Sequence, residues 1–167
     1  MTEILVHNRR VTGVRLADGS SALASDGAPS DCVALGVMGL LPHPVDLVVS
    51  GINPAANLGH DVTYSGTVTA VMESIIWGVP GVAVSLDGGD RDSMELDYEP
   101  AVTIAARVVE QVIERGLPKG VFLNVNVPGG PLATIKGVQP TCQGLRVYRD
   151  RLDKRIDPRG GDYYWIG

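Results

Sequence analysis

The chain has few cysteines, no excess of basic residues and no long apolar run. Its two cysteines, Cys32 and Cys142, form no Cys-x-x-Cys pair and no disulfide framework, so a reduced, cytoplasmic protein is expected. The formal net charge of −5 excludes the basic surface that binding to a nucleic-acid polymer requires. No run approaches the roughly 18 apolar residues of a membrane span. The first residues are charged where a signal peptide would be apolar, and we therefore expect no contact with a membrane.

Several familiar catalytic and phosphate-binding motifs are also absent. No G-x-x-x-x-G-K-[ST] loop is present, which excludes a Walker-type phosphate site, and no G-x-G-x-x-G follows a predicted strand. Ser65 lacks the glycine two residues earlier that a G-x-S-x-G nucleophile elbow requires. The three histidines, His7, His43 and His60, do not have the spacing of zinc ligands.

The apolar pattern predicts one domain with an α/β fold and a mostly parallel sheet. Helices and strands alternate as in βαβ units, in which the crossovers are right-handed and the strands run parallel. Residues 4–25 are typical of antiparallel hairpin strands, and residues 131–167, charged and rich in arginine and tyrosine, predict an extended arm or hairpin. The predicted helices are 29–41, 65–77 and 99–115, and the predicted strands are 45–51, 82–86 and 121–127.

A buried strand, a polar loop and a helix start follow one another between residues 46 and 68. Asn53 comes where the strand should end, at the carboxyl edge of the sheet, where open α/β sheets bind their ligands. An amide oxygen there can ligate a hard cation or orient a phosphate oxygen. Asn57, in the same loop, can donate a hydrogen bond to the same phosphate.

The helix that follows the loop is predicted to begin at Ser65, Gly66 and Thr67. Their backbone amides and two hydroxyls would point at whatever lies above the helix N-terminus, which is the arrangement of a phosphate site. The alternative is structural: asparagines are common in turns, and Ser65 is also a common helix N-cap. Spacing alone does not decide between the two interpretations.

The amino-acid sequence of this stretch resembles a known family signature. Residues 48–73, V-V-S-G-I-N-P-A-A-N-L-G-H-D-V-T-Y-S-G-T-V-T-A-V-M-E, closely resemble that of the SurE (survival protein E) family of metal-dependent nucleotidases. The resemblance extends in chain order over almost the whole sequence, at residues 26–33, 78–86, 123–128 and 157–167.

The resemblance implies a Rossmann-like three-layer α/β/α fold and hydrolysis of nucleoside 5′- or 3′-monophosphates. It implies a divalent cation, Mg²⁺ or Mn²⁺, held by two adjacent aspartates, a serine and an asparagine, the last of which corresponds to Asn53. Asn57, Ser65 and Thr67, with the Gly66 amide between them, correspond to phosphate-binding groups. A homodimer or homotetramer is also implied, and Tyr164 and Trp165 are expected to dock the arm, although base stacking stays an alternative.

The sequence departs from the family in one important respect. It contains no N-D-D-G and no adjacent aspartates, so its catalytic residues are not identified, and metal affinity is expected to be weak. We expect residues 1–130 to be a SurE-like core without its first strand-helix-strand unit, and residues 131–167 to be the arm of the same domain. A free sheet edge or an unfilled groove should result. The alternative function is a non-catalytic remnant that binds phosphate or forms oligomers.

Overall fold

The computed structural model describes residues 3–7, 10–16, 18–88, 96–145 and 151–166. The helices are α1 (Pro29–Leu35, continued by a wider helical turn, Gly36–Leu40), α2 (Gly66–Ile76) and α3 (Glu99–Arg115). The strands are β1 (Glu3–His7), β2 (Arg10–Arg15), β3 (Ser21–Leu23), β4 (Val48–Asn53), β5 (Gly81–Asp87), β6 (Leu123–Pro128), β7 (Leu152–Ile156) and β8 (Asp162–Ile166).

The central sheet has three parallel strands in the order β4-β5-β6, with helices on both of its faces. On one face, Val68 and Val71 of α2 pack against Ala83 of β5. On the other, Val112 of α3 packs against Val84 and its neighbours on β5. The residues of β5 alternate between these two buried layers, which is why residues 81–86 are buried without interruption. The predicted three-layer α/β fold is confirmed.

The two ends of the described chain form separate antiparallel sheets. β1, β2 and β3 make a three-stranded meander, as the hairpin pattern of residues 4–25 predicts, and β7 pairs with β8 in a hairpin. In the β2–β3 turn, the Ser20 hydroxyl and backbone N–H both donate to Asp18 and hold the pKa of that carboxyl below its usual value. The residues of β7 are exposed along its length.

Some element boundaries differ from those predicted. β4 begins at Val48 and ends with Asn53, so Asn53 is the last residue of the strand. The first helix does not continue regularly to residue 41, because Gly39 has a φ of +108°, which no helix interior accommodates. Both ends of α3 agree with the prediction of 99–115. Within the described ranges, none of the helices is long and apolar enough to cross a membrane.

Candidate functional site

A polar row crosses the three parallel strands near their carboxyl ends. Asn53 of β4 is in register with Ser85 of β5, and Ser85 is in register with Asn126 of β6. This is the edge at which open parallel sheets bind ligands, because the loops that leave it converge there. The loop of residues 54–65 starts from this row and leads to the N-terminus of α2.

Asn57, in the first half of that loop, is fixed to the sheet by four hydrogen bonds. Its backbone N–H donates to Asn126 Oδ1 at 2.7 Å, and its side-chain Nδ2 donates to the buried Ser85 Oγ at 2.6 Å. Its carbonyl oxygen accepts from Asn124 Nδ2 at 3.0 Å and from Asn126 Nδ2 at 3.2 Å. Asn57 is only 6% exposed. The first half of the loop is therefore attached to the sheet through Asn57.

The alternation of side chains along β6 explains how the loop is held. Leu123 and Val125 point to the α3 side and join the apolar cluster there. Asn124 and Asn126 point to the opposite face, where they meet the backbone of Asn57. A loop that covers a sheet brings peptide groups rather than apolar side chains, and these need polar partners. Two side-chain amides on one face of the strand supply them.

One atom of this arrangement has no partner. Asn124 Oδ1 is a buried side-chain atom that accepts no hydrogen bond, the only such side-chain atom found in the described part of the chain. The nitrogen of the same amide is used by the Asn57 carbonyl. An unpaired buried acceptor costs about 1–3 kcal/mol of folding free energy, so this amide is retained at a cost in stability.

The start of α2 has the features of an N-terminus that can receive an anion. Ser65 is the N-cap, and its Oγ accepts from the Val68 N–H at 3.2 Å. The amides of Gly66 and Thr67 belong to the first turn, where backbone N–H groups have no intrahelical partner. Because α2 connects β4 to the parallel strand β5, its N-terminus lies at the same edge as the polar row. A Cβ on Gly66 would come within 3.1 Å of Pro29 Cγ, so α1 also begins beside it.

Asn53 combines a turn role with its place at the strand end. Its side-chain Nδ2 donates to the carbonyl of Ala55 at 2.5 Å, which is the turn function that the structural alternative predicts. This bond uses the amide nitrogen and not the amide oxygen. Asn53 is thus placed at the carboxyl edge with one oxygen atom suited to a cation.

The described residues alone do not fit a divalent cation. Within those ranges, no group of three or more His, Cys, Asp or Glu side chains lies close enough together to hold a metal ion. A hard divalent ion requires several oxygen ligands, with carboxylates among them to balance its charge. One neutral amide oxygen on Asn53 does not meet that requirement.

A cavity of about 640 Å³ lies elsewhere, on the opposite face of the sheet. It is formed by α3, the edge of β6 and residues 135–138, with an apolar lining that includes Ile104 and Val108. None of the predicted site residues lines it. The polar row and the α2 N-terminus are therefore the candidate site, and this cavity is not.

The sequence pattern identifies Asn53, Asn57, Ser65, Gly66 and Thr67 but misses three residues that hold the loop. These are Ser85, Asn124 and Asn126. A signal does exist: two asparagines at alternate positions of β6 indicate a polar face on an otherwise apolar strand. What the pattern cannot give is the partner of that face, because Asn57 lies 67 residues from Asn124 along the chain.

Comparison with known proteins identifies the family. A model of the SurE family, described as survival protein SurE, matches residues 2–150. The chain belongs to the SurE family. The 5′-nucleotidase SurE of Herpetosiphon aurantiacus is 51% identical over 158 residues, which are 95% of this chain and 61% of that protein. The 5′-nucleotidase SurE of Chloroflexus aggregans is 52% identical over 151 residues, 90% of this chain and 59% of that protein.

A solved structure agrees with this assignment. The crystal structure of the SurE protein from Aquifex aeolicus superposes with a TM-score of 0.71 at 39% identity, and the match covers 98% of this chain and 64% of that one. This SurE chain thus spans about three fifths of the length of the curated relatives that it matches.

Proposed function

We propose that this SurE chain binds a nucleoside monophosphate and belongs to an enzyme that hydrolyses the 5′- or 3′-phosphate to nucleoside and phosphate. The observation that carries the proposal is the anchored loop between Asn53 and Ser65, which ends at the first-turn amides of α2. The names of the Herpetosiphon and Chloroflexus relatives, which describe 5′-nucleotidases, support the same reaction.

The phosphate would be held at the N-terminus of α2. The amides of Gly66 and Thr67 would donate to its oxygens, and the helix dipole favours a negative charge at this end. The hydroxyls of Ser65 and Thr67 would add two more donors. Asn57 uses one N–H of its side-chain amide on Ser85, and the second N–H of that amide would serve the phosphate.

A divalent cation, Mg²⁺ or Mn²⁺, would be the cofactor of the whole enzyme, with the amide oxygen of Asn53 as one ligand. Such an ion stabilises negative charge on the phosphoryl oxygens when it is bound. The described residues do not gather the carboxylates that it needs, so they would supply only part of its coordination, and the catalytic residue stays unassigned. By itself this chain would bind the ion weakly.

We also propose a domain organisation and an oligomeric contact for the whole molecule. Residues 1–130 would form the core and residues 131–167 the arm of the same domain, which would join two or four copies through the β7–β8 hairpin. Cys32 and Cys142 are both exposed free thiols, which supports a reducing, cytoplasmic environment.

The proposed phosphate site at the N-terminus of α2 is tested by removing one hydroxyl of that helix. Thr67→Val keeps the shape of the side chain and removes a donor, so the affinity for inorganic phosphate and for AMP should fall by about two-fold to tenfold. Isothermal titration of the purified chain with each ligand gives both constants.

Thr69→Val is the matched control for that experiment. Its hydroxyl donates to the Ser65 carbonyl at 2.9 Å, inside the helix, so this variant should bind phosphate as the parent chain does. Equal affinities of the parent and Thr67→Val, or no phosphate binding by the parent, would contradict the proposed site.

A further inference from the structure

We propose that Asn124 and Asn126 are positioning residues of the phosphate site, which act by holding the loop of residues 54–65 through Asn57. The inference rests on the proposed function, because it gives these two side chains a role in placing phosphate-binding groups. Neither side chain is itself proposed to touch the phosphate.

The contacts determine where both halves of the loop lie. Asn57 stands between Asn53, the last residue of β4, and Ser65, the N-cap of α2. Its N–H and its C=O are both bonded to β6, so Asn57 is held against that strand through both its donor and its acceptor. A free loop of this length samples many conformations, whereas two short segments with fixed ends sample few.

The second half of the loop has a further attachment. Gln143 Nε2 donates to the carbonyl of Gly59 at 2.9 Å, just beyond Asn57. From there a short 3₁₀ turn, Gly59–Thr63, leads to Ser65 at the start of α2. Because few residues separate these attachments from Ser65, the position of Asn57 affects where the proposed phosphate-binding residues lie.

The amide of Asn124 serves the loop through its nitrogen, while its oxygen makes no hydrogen bond. A strand favours β-branched and other apolar side chains on a covered face, and such a residue at 124 would leave no buried acceptor without a partner. Asn124 instead keeps Oδ1 buried and unpaired while its Nδ2 holds the Asn57 carbonyl. The amide nitrogen therefore both pairs a buried carbonyl and fixes the position of the loop.

The test is Asn124→Leu, which keeps the approximate shape of the side chain. The variant loses the bond to the Asn57 carbonyl together with the unpaired oxygen, so its Tm should stay within about 3 °C of the parent. The loop should nevertheless loosen. We expect hydrogen exchange of the amides at 57–59 to accelerate, and the affinity for inorganic phosphate to fall about two-fold to tenfold.

Asn126→Leu removes both an acceptor and a donor and should reduce phosphate affinity further than Asn124→Leu. Ser74→Ala is the control for general destabilisation. It removes one buried hydrogen bond, from Ser74 Oγ to the Val71 carbonyl at 2.8 Å, at a site on α2 away from the loop. Its phosphate affinity and its exchange at 57–59 should match the parent.

The outcomes separate this inference from the proposed function. If the parent binds phosphate and both Asn124→Leu and Asn126→Leu bind it as tightly as the parent, the positioning role alone is overturned. A parent that binds no phosphate overturns the proposed function, and with it the role of the asparagines in phosphate binding. Lower affinity in both variants, with the Tm of Asn124→Leu unchanged, supports the positioning role, because a purely structural residue would not produce it.

Discussion

Gly51 lies in β4 beside Val84 of β5, with a φ of +122°. A Cβ built on it would clash with the backbone carbonyl oxygen of Val84. Only glycine avoids both the strained backbone and the clash, so the glycine of the S-G-I-N sequence at the end of β4 is set by the packing of two strands. The residue that precedes the candidate site by two positions is thus constrained by geometry and not by chemistry.

At this residue we predict that Gly51→Ala lowers the free energy of unfolding substantially. The backbone conformation accounts for about 1–3 kcal/mol, and the clash with the Val84 carbonyl adds a similar amount. Chemical denaturation of the variant and the parent, monitored by circular dichroism, measures the difference.

Gly130→Ala is the matched control for this prediction. Gly130 has a φ of +103°, yet no atom lies within 4 Å of the position of its Cβ. It should lose the backbone contribution alone. Equal losses in the two variants would show that the approach to Val84 contributes nothing to the preference for glycine.

At the scale of elements, the N-terminus of α2 both contributes to the stability of the fold and forms the proposed phosphate site. Ser65 caps the helix, and the first two turns of α2 pack through Val68 and Val71 into the core. The burial of that face holds the helix, since eleven residues are too few for an isolated helix to persist in water. The cap therefore contributes a modest part of the stability, and the remaining amides stay available.

Substitution of Ser65 separates its contribution to stability, as the helix cap, from its proposed contribution to phosphate binding. Ser65→Ala removes the cap and should destabilise the chain by about 1 kcal/mol, whereas Ser65→Gly should cost only a few tenths. Both variants lose the hydroxyl and should bind phosphate equally weakly. Thermal melts and phosphate titrations of the two variants check the prediction, and a phosphate affinity that follows Tm would contradict it.

At the scale of the whole molecule, the β7–β8 hairpin presents large apolar side chains to solvent. Leu152 and Ile156 share one face of the hairpin with Tyr164, and they are 64%, 69% and 55% exposed. An isolated two-stranded hairpin is at best marginally stable in water. We therefore expect a second copy of the chain to cover this face.

The corresponding prediction is that the chain is a dimer or tetramer and that the double change Leu152→Ser and Ile156→Ser shifts it towards monomer. Sedimentation equilibrium at several concentrations measures the change. Arg159→Ser, in the hairpin turn, is the control, because only the backbone N–H of Arg159 is bonded there, to Asp157. A parent chain that sediments as a monomer would contradict the proposed arm contact.

The sequence by itself determined the α/β architecture, the bounds of α3 and the stretch that carries the candidate site. These follow from local information: apolar periodicity, caps, and glycine and proline at the ends of elements. The resemblance of residues 48–73 to the SurE signature also led to the family that comparison confirms. Ser65 as the N-cap of α2 was predicted correctly for the same local reason.

Only the tertiary structure decided what holds the site together. Asn57 was predicted as a phosphate donor from its place in the loop, and the structure adds its bonds to Ser85, Asn124 and Asn126. These partners lie on strands 28 to 69 residues away in the sequence. They meet because parallel strands bring their carboxyl ends to one edge, and this depends on how the sheet is assembled. No local pattern contains that information.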